Sequence, residues 1–145
     1  MSSVNGCDIP ADLFYNVESN VWARLEADGT VTVGMTAYAC SLAGQIVAFT
    51  PKKVGKTVKL DKSCATVESG KWVGPVKAPV AGEIVATNAL LIETPETINA
   101  DPYGAGWVSR IKPDDWGADS VGLLTGDEAL REFAEKMEAD GFGGC

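Results

Sequence analysis

The stretch Val67-Glu-Ser-Gly-Lys71-Trp-Val-Gly-Pro-Val-Lys77 joins two β-prone runs through a Ser-Gly-Lys tip. Glycine tolerates the positive φ of a tight two-residue turn, so the pattern predicts a β-hairpin with Lys71 at its apex. A lysine in that position points into solvent from a rigid support. This arrangement suits a covalent arm, which needs an anchored root and a free tip. On these residues alone, however, an ordinary solvated turn is the simpler explanation.

Sequence motifs on both sides of the hairpin change that balance. They are the return segment Ala78-Pro-Val-Ala-Gly-Glu-Ile-Val85, the downstream residues Asn88, Pro95, Ile98-Asn99 and Asp101-Pro-Tyr-Gly-Ala-Gly-Trp107, and the upstream residues Trp22, Thr32–Ala39 and Gly44–Val47. In this order they resemble lipoyl domains, and specifically the H protein of the glycine cleavage system. The resemblance extends from about Asn20 to the C-terminal helix. It implies lipoate in amide linkage to Lys71.

A second covalent cofactor is weighed against lipoate. Biotin carriers place their lysine on a similar hairpin, usually with methionine on both sides. Here Gly70 and Trp72 flank Lys71, which argues against biotin. In a lipoyl carrier the cofactor supplies the chemistry, while the protein supplies attachment, reach and docking surface. The resemblance therefore implies a carrier without catalytic residues of its own, which serves partner enzymes.

Composition narrows the class of protein further. The chain has 145 residues, a net charge of −8 and no histidine. This length predicts one domain, residues 1–145, with a single core. An acidic surface repels phosphate backbones, which argues against nucleic-acid binding. No apolar run reaches the roughly 20 residues of a membrane helix, and the N-terminus does not read as a secretory signal, so we expect a cytoplasmic protein.

The four cysteines, Cys7, Cys40, Cys64 and Cys145, are far apart and form no Cys-x-x-Cys motif. Without histidine, this spacing predicts no zinc site. For a cytoplasmic chain we also expect no structural disulfide. The sequence leaves any redox role of these cysteines open.

Short β-prone runs separated by turn signals predict a mainly β fold, a lipoyl-domain-like β-sandwich or flattened barrel. Residues 1–20 are predicted to be a leader, and residues 91–105 a long irregular segment. At the other end, residues 125–140 are predicted to form a C-terminal α-helix that opens with a capping box of Thr125 and Glu128. Its apolar face, expected to pack on the sandwich, consists of Ala129, Leu130, Phe133, Ala134 and Met137. Residues 141–145 are expected to fray.

Two client systems fit the resemblance. One is glycine cleavage, in which the H protein carries an aminomethyl group. The other is cytoplasmic sulfur oxidation by a heterodisulfide-reductase-like complex, whose lipoate-binding proteins resemble H proteins. The flanks Gly70 and Trp72, the segment Ser19-Asn-Val-Trp22 and the leader around Cys7 depart from the usual H protein. On that resemblance we expect the sulfur-oxidation client, with glycine cleavage as the alternative.

Three kinds of partner follow from the carrier interpretation. They are the heterodisulfide-reductase-like complex, a lipoate ligase or lipoyl-synthesis enzymes, and dihydrolipoamide dehydrogenase. An unmodified binding or scaffold module remains the alternative outside the carrier class.

Overall fold

The computed structural model describes residues 2–145. Its strands are β1 Ser3–Val4, β2 Cys7–Asp8, β3 Phe14–Asn16, β4 Val21–Leu25, β5 Val31–Met35, β6 Ile46–Pro51, β7 Thr57–Val58, β8 Ser63–Ser69, β9 Val73–Lys77, β10 Gly82–Thr87, β11 Ser109–Pro113 and β12 Leu124–Thr125. The helices are α1 Ala37–Ala43, α2 Leu90–Glu93, α3 Thr97–Ala100, α4 Trp116–Asp119 and α5 Gly126–Ala139, and a 3₁₀ turn spans Ser120–Gly122.

Two antiparallel sheets form the body of the protein. A seven-stranded sheet has the order β12-β3-β4-β5-β11-β10-β7, and a three-stranded sheet has the order β6-β8-β9. Val33 and Ile111 of the large sheet share one buried apolar cluster with Val67 and Val76 of the small sheet. The predicted mainly β sandwich with a C-terminal helix is therefore confirmed.

Strand alternation explains why the small sheet has one buried and one exposed face. In β9, Gly74 and Val76 are buried while Val73, Pro75 and Lys77 are exposed. This period of two is the pattern of a strand with one face on the core. It directs the side chain of Lys77 away from the core.

The segment predicted to be irregular, residues 91–105, contains part of α2 and all of α3, each a single turn. Two asparagines tie this segment to its surroundings. The Nδ2 of Asn88 donates to the carbonyls of Ala105 and Trp107, at 2.7 and 2.9 Å. The side chain of Asn99 holds a second loop, described with the site below. The segment is thus ordered by side-chain hydrogen bonds to backbone.

The C-terminal helix α5 lies within one residue of its predicted bounds, but its capping box does not form. The Oγ1 of Thr125 donates to the carbonyl of Leu13 at 2.7 Å and makes no cap hydrogen bond to α5. Gly126 begins the helix with a φ of 61°. The local Thr-x-x-Glu pattern is overridden because Thr125 belongs to β12, which pairs with β3.

A second buried cluster, called the terminal cluster below, lies where α5 meets the N-terminal segment and α1. It consists of Cys7, Ile9, Leu13, Tyr15, Trp22, Tyr38, Ala129, Phe133 and Met137. Three of the five residues predicted for the apolar face of α5 are in this cluster, Leu130 packs partly against it, and Ala134 is exposed. The expected packing of α5 on the sandwich is confirmed.

The structure of the two chain ends differs from two expectations, the absence of a disulfide and a frayed C-terminal tail. Cys7 and Cys145 form a disulfide across 138 residues of sequence, although none was expected for a cytoplasmic chain. Residues 141–145 do not fray, because Phe142 packs edge-to-face against Tyr38 with ring centroids 4.7 Å apart. Neither contact has a local sequence signal, since each joins residues about a hundred positions apart.

The leader, residues 1–20, contains strands. β1 and β2 form a hairpin whose turn is Asn5-Gly6, both with positive φ, as a type I′ turn requires. β3 joins the large sheet between β12 and β4. Within residues 2–145, no helix is both long and apolar enough to cross a membrane.

Candidate functional site

Lys71 lies at the tip of the hairpin formed by β8 and β9, called the arm hairpin below. The amide of Ser69 donates to the carbonyl of Trp72 at 2.8 Å and closes the turn. The amide of Lys71 donates to the Oγ of Ser69 at 3.3 Å. The root of Lys71 is therefore held by backbone and by one hydroxyl group.

Gly70 does not have the role that the sequence suggested. Its φ is not among the positive values found in the chain, and a Cβ at this position would meet nothing within 4 Å. The turn therefore does not depend on the conformational freedom of glycine. A larger residue fits here, so Gly70 says little about the function of the tip.

The side chain of Lys71 extends towards the end of α1. A Cβ built on Gly44, which caps α1 with a φ of 80°, would lie 3.3 Å from the Cε of Lys71. Within the part of the chain that the structure describes, the Nζ of Lys71 has no hydrogen-bond acceptor, and the one ion pair joins Arg24 and Glu26. The amine is therefore available for acylation.

An open groove of about 460 Å³ lies beside Lys71. Besides Lys71, its lining contains no ionisable side chain and is mostly apolar: Ser19, Asn20, Val21, Met35, Ala39, Leu42, Ala43, Trp72, Pro75 and Val76. Pockets of this size and character accept small organic groups. The groove thus fits a neutral, largely apolar arm better than a charged one.

Trp72 forms one wall of the groove, next to Lys71. A Cβ on Gly74 would lie 2.1 Å from the Cζ2 of the Trp72 indole, so the ring lies directly over Gly74. Trp72 remains 40% exposed as a residue. Because Gly74 has no Cβ, it leaves room for a large aromatic ring beside Lys71.

Asn99 fixes the loop on which Lys71 rests. Its Nδ2 donates to the carbonyl of Gly44 at 2.9 Å, and its Oδ1 accepts from the amide of Ile46 at 2.9 Å. In the sequence, Asn99 is one of the residues that carry the family resemblance, and no role is assigned to it there. The structure shows that it clamps the turn between α1 and β6.

Trp22 and Tyr103 support the other end of α1. The Nε1 of Trp22 donates to the carbonyls of Met35 and Pro102, at 3.1 and 3.0 Å. The hydroxyl of Tyr103 accepts from the amide of Ala37 at 2.9 Å and donates to the carbonyl of Asp8. These contacts hold the helix that lines the groove.

Other reactive groups lie away from the tip or are inert. Burial raises the pKa of the Cys40 thiol to about 12 and that of the Cys64 thiol to about 11, so both stay protonated near neutral pH. Among residues 2–145, no group of three or more His, Cys, Asp or Glu side chains could hold a metal ion. Lys77, on the same hairpin as Lys71, lies in β9 at the end opposite the tip.

The sequence profile of the family described as "Glycine cleavage H-protein" matches residues 13–137. Glycine cleavage system H protein 5 of Aquifex aeolicus is 54% identical over 117 residues, which cover 78% of each chain. H protein 3 of the same organism is 51% identical over 136 residues, 92% of this chain and 84% of that one. The H protein of Psychrobacter cryohalolentis is 48% identical over 126 residues, 87% of this chain and 98% of that one.

The fold agrees with these sequence matches. A crystal structure of a glycine cleavage system H protein from Mycobacterium marinum superposes with a TM-score of 0.75 at 36% identity, covering 86% of this chain and 98% of the other. The chain belongs to the glycine cleavage H-protein family, whose members are carriers rather than enzymes and hold lipoate covalently on a lysine.

Proposed function

We propose that this chain is a lipoyl carrier whose arm is attached to Lys71, and that it serves glycine cleavage as an H protein. The observation that supports the attachment site is an amine at the tip of the arm hairpin, beside an apolar groove, that has no hydrogen-bond partner among residues 2–145. The names of the relatives support the client. They favour glycine cleavage, which was the alternative in the sequence analysis, over sulfur oxidation, which was the client expected there.

The residues present fit a lipoyl group. The Nζ of Lys71 would hold it through an amide, and the groove between α1 and β9 would shelter its apolar chain. When bound, the group supplies a disulfide that takes two electrons or accepts a group on sulfur. The arm hairpin fixes the root of the arm, and the mostly apolar groove wall excludes water from it.

In this role the carrier meets several partners in turn. The H-protein family works with a lipoate ligase, the glycine cleavage enzymes and dihydrolipoamide dehydrogenase. Tethering raises the effective concentration of the carried group at each partner. We also propose that the protein acts in the cytoplasm, as expected from the sequence.

The second candidate client is a heterodisulfide-reductase-like complex in sulfur oxidation. Two observations favour it: the indole of Trp72 beside the attachment lysine, and a groove lining without any carboxylate to pair with an aminomethyl ammonium. In addition, three relatives from Aquifex aeolicus carry the numbers 2, 3 and 5, so that one organism holds several H proteins. More than one client would account for such a set.

Lipoylation is tested by expressing the chain with a lipoate ligase and lipoate. We expect a single lipoyl mass increment, confined by peptide mass spectrometry to Lys71. Lys71→Arg should abolish the increment because arginine keeps the charge but has no amine that forms this amide. Lys77→Arg, on the same hairpin, is the matched control and should leave it intact. An adduct on Lys77, Lys56 or Lys62 would refute the assignment, and an unmodified chain would leave a binding module as the alternative.

The client is tested by reconstitution. Lipoylated chain is mixed with glycine decarboxylase, aminomethyltransferase and dihydrolipoamide dehydrogenase, and glycine-dependent NADH formation is followed. A rate close to that of an authentic H protein supports glycine cleavage. No NADH from a fully lipoylated chain, together with turnover by a heterodisulfide-reductase-like complex, supports the second client.

A further inference from the structure

The disulfide between Cys7 and Cys145 closes the two ends of the chain onto each other. The Cα atoms are 5.0 Å apart, within the usual range for a disulfide. The amide of Cys145 also donates to the carbonyl of Asn5 at 2.9 Å, in the turn of the leader hairpin. We call the disulfide and these contacts the clasp.

The two halves of the clasp differ in accessibility. Cys7 is 1% exposed, whereas Cys145 is an exposed residue at the chain end. Three glycines surround Phe142 in the tail, and Gly144 has a φ of 121°. Because Cys145 is exposed and Cys7 is buried, a nucleophile reaches the Cys145 side of the bond first.

The clasp lies against the helix that lines the groove. The Sγ of Cys145 is 3.8 Å from the carbonyl oxygen of Ala37, the first residue of α1. In the next position, Tyr38 packs edge-to-face on Phe142 of the tail, and its hydroxyl donates a hydrogen bond to the Oδ2 of Asp140. Further along the same helix, Ala39 and Ala43 line the groove beside Lys71. The tail and the groove therefore share one short helix.

We propose that Cys7–Cys145 is a second redox site of this protein, which takes two electrons from dithiols by exchange, and that opening it loosens α1 at the groove. This site does not depend on the modification of Lys71. The two remaining cysteines, Cys40 and Cys64, are buried and far less reactive as protonated thiols.

A dithiol reduces the clasp in two steps of thiol–disulfide exchange. One thiolate of the dithiol attacks the Sγ of Cys145, the disulfide breaks, and Cys7 leaves as a thiolate that takes a proton from solvent. The second thiolate of the dithiol then attacks the other sulfur of the same dithiol, which is bonded to the Sγ of Cys145 in the mixed disulfide. This closes the oxidised ring of the dithiol and releases Cys145, which is protonated in turn. The dithiol loses two electrons and the clasp gains two.

The test uses the full chain and Lys71→Arg, so that failure of lipoylation cannot be mistaken for failure of the clasp. Each is incubated with dihydrolipoamide, and free thiols are trapped by alkylation and located by peptide mass spectrometry. We expect two new alkylated residues, Cys7 and Cys145, in both proteins, with Cys40 and Cys64 protected. No reduction by excess dihydrolipoamide, while the urea-unfolded chain is reduced, would show a static cross-link and overturn the proposal.

Hydrogen exchange tests the link to the groove. After reduction, amides of α1 should exchange roughly tenfold faster, while those of β4 and β5 stay protected. The variant Cys7→Ser/Cys145→Ser should reproduce this pattern without reductant, and its melting temperature should fall by about 5–15 °C. Unchanged exchange in α1 after complete reduction would overturn the coupling. A chain with four free thiols after air oxidation would overturn the site itself.

Discussion

The arm hairpin and the terminal cluster are built in opposite ways. β8 and β9 are consecutive strands, and the register Glu68↔Val73 brings residues five apart into a pair. The terminal cluster joins residues that are far apart in sequence, such as Tyr15 with Phe133, and its Cys7 is bonded to Cys145 at the chain end. The part that presents Lys71 is local, and the part that holds the chain ends together is not. Changes at the tip should therefore spare stability, and changes in the cluster should not.

The largest expected effect is alkaline unfolding through the terminal cluster. All three tyrosines of the chain have raised pKa values, chiefly because burial disfavours the phenolate. For Tyr38 the pKa rises to about 12. The folded state keeps protons that the unfolded chain loses near pH 10, so this stability is complete below pH 10 and is lost as pH rises towards the folded pKa values.

The measurement is ultraviolet absorbance of tyrosinate alongside circular dichroism during a pH titration. Each buried tyrosine that stays protonated in the folded state lowers the free energy of unfolding by about 1.4 kcal/mol for every pH unit above the pKa of the unfolded chain. Tyrosinate should therefore appear only together with loss of structure. Ionisation of all three tyrosines near pH 10 in an intact fold would show that the cluster is open to solvent.

Phe133→Ala should strongly lower the free energy of unfolding. Phe133 is fully buried and packs edge-to-face on Tyr15, with ring centroids 5.4 Å apart. Removing a buried aromatic ring costs about 3–5 kcal/mol of unfolding free energy. Urea denaturation checks this, with Val121→Ala, at a side chain 84% exposed, as the control. Equal midpoints for both variants would mean that α5 contributes nothing to stability.

The same contrast explains what could be predicted from sequence. The arm hairpin was predicted to within a few residues, because a period of two and a short turn are local signals. The position of α5 was predicted for a similar reason, since its apolar residues recur on one helical face. The clasp and the role of Thr125 could not be predicted, because Cys7 and Cys145, like Thr125 and Leu13, are more than a hundred residues apart in sequence.

The groove beside Lys71 was also missed, for a different physical reason. Its walls come from α1, β9 and the segment around Asn20, and only the packed fold brings them together. Trp72 stood out in the sequence as an unusual neighbour of Lys71. What the sequence did not show is that Gly74, two residues on, makes room for the indole.

The smallest expected effect is the difference between substituting Gly74 and substituting Gly70, the two glycines of the arm hairpin. In Gly74→Ala, the new Cβ would overlap the indole of Trp72, 2.1 Å from its Cζ2. The indole is at the free end of a side chain that is 40% exposed, so it swings aside and stability changes by only about 0.5 kcal/mol. Gly70→Ala should change neither stability nor the position of the indole, because that site is open.

Acrylamide quenching of tryptophan fluorescence checks this pair. A variant carrying Trp72→Phe identifies the contribution of Trp72 among the four tryptophans. We expect stronger quenching in Gly74→Ala than in the parent, and no change in Gly70→Ala. A loss of several kcal/mol in Gly74→Ala would mean that the indole cannot move and that the hairpin depends on it as a core contact. The arm hairpin would then share the role of the terminal cluster, and presentation of Lys71 would no longer be separable from the stability of the fold.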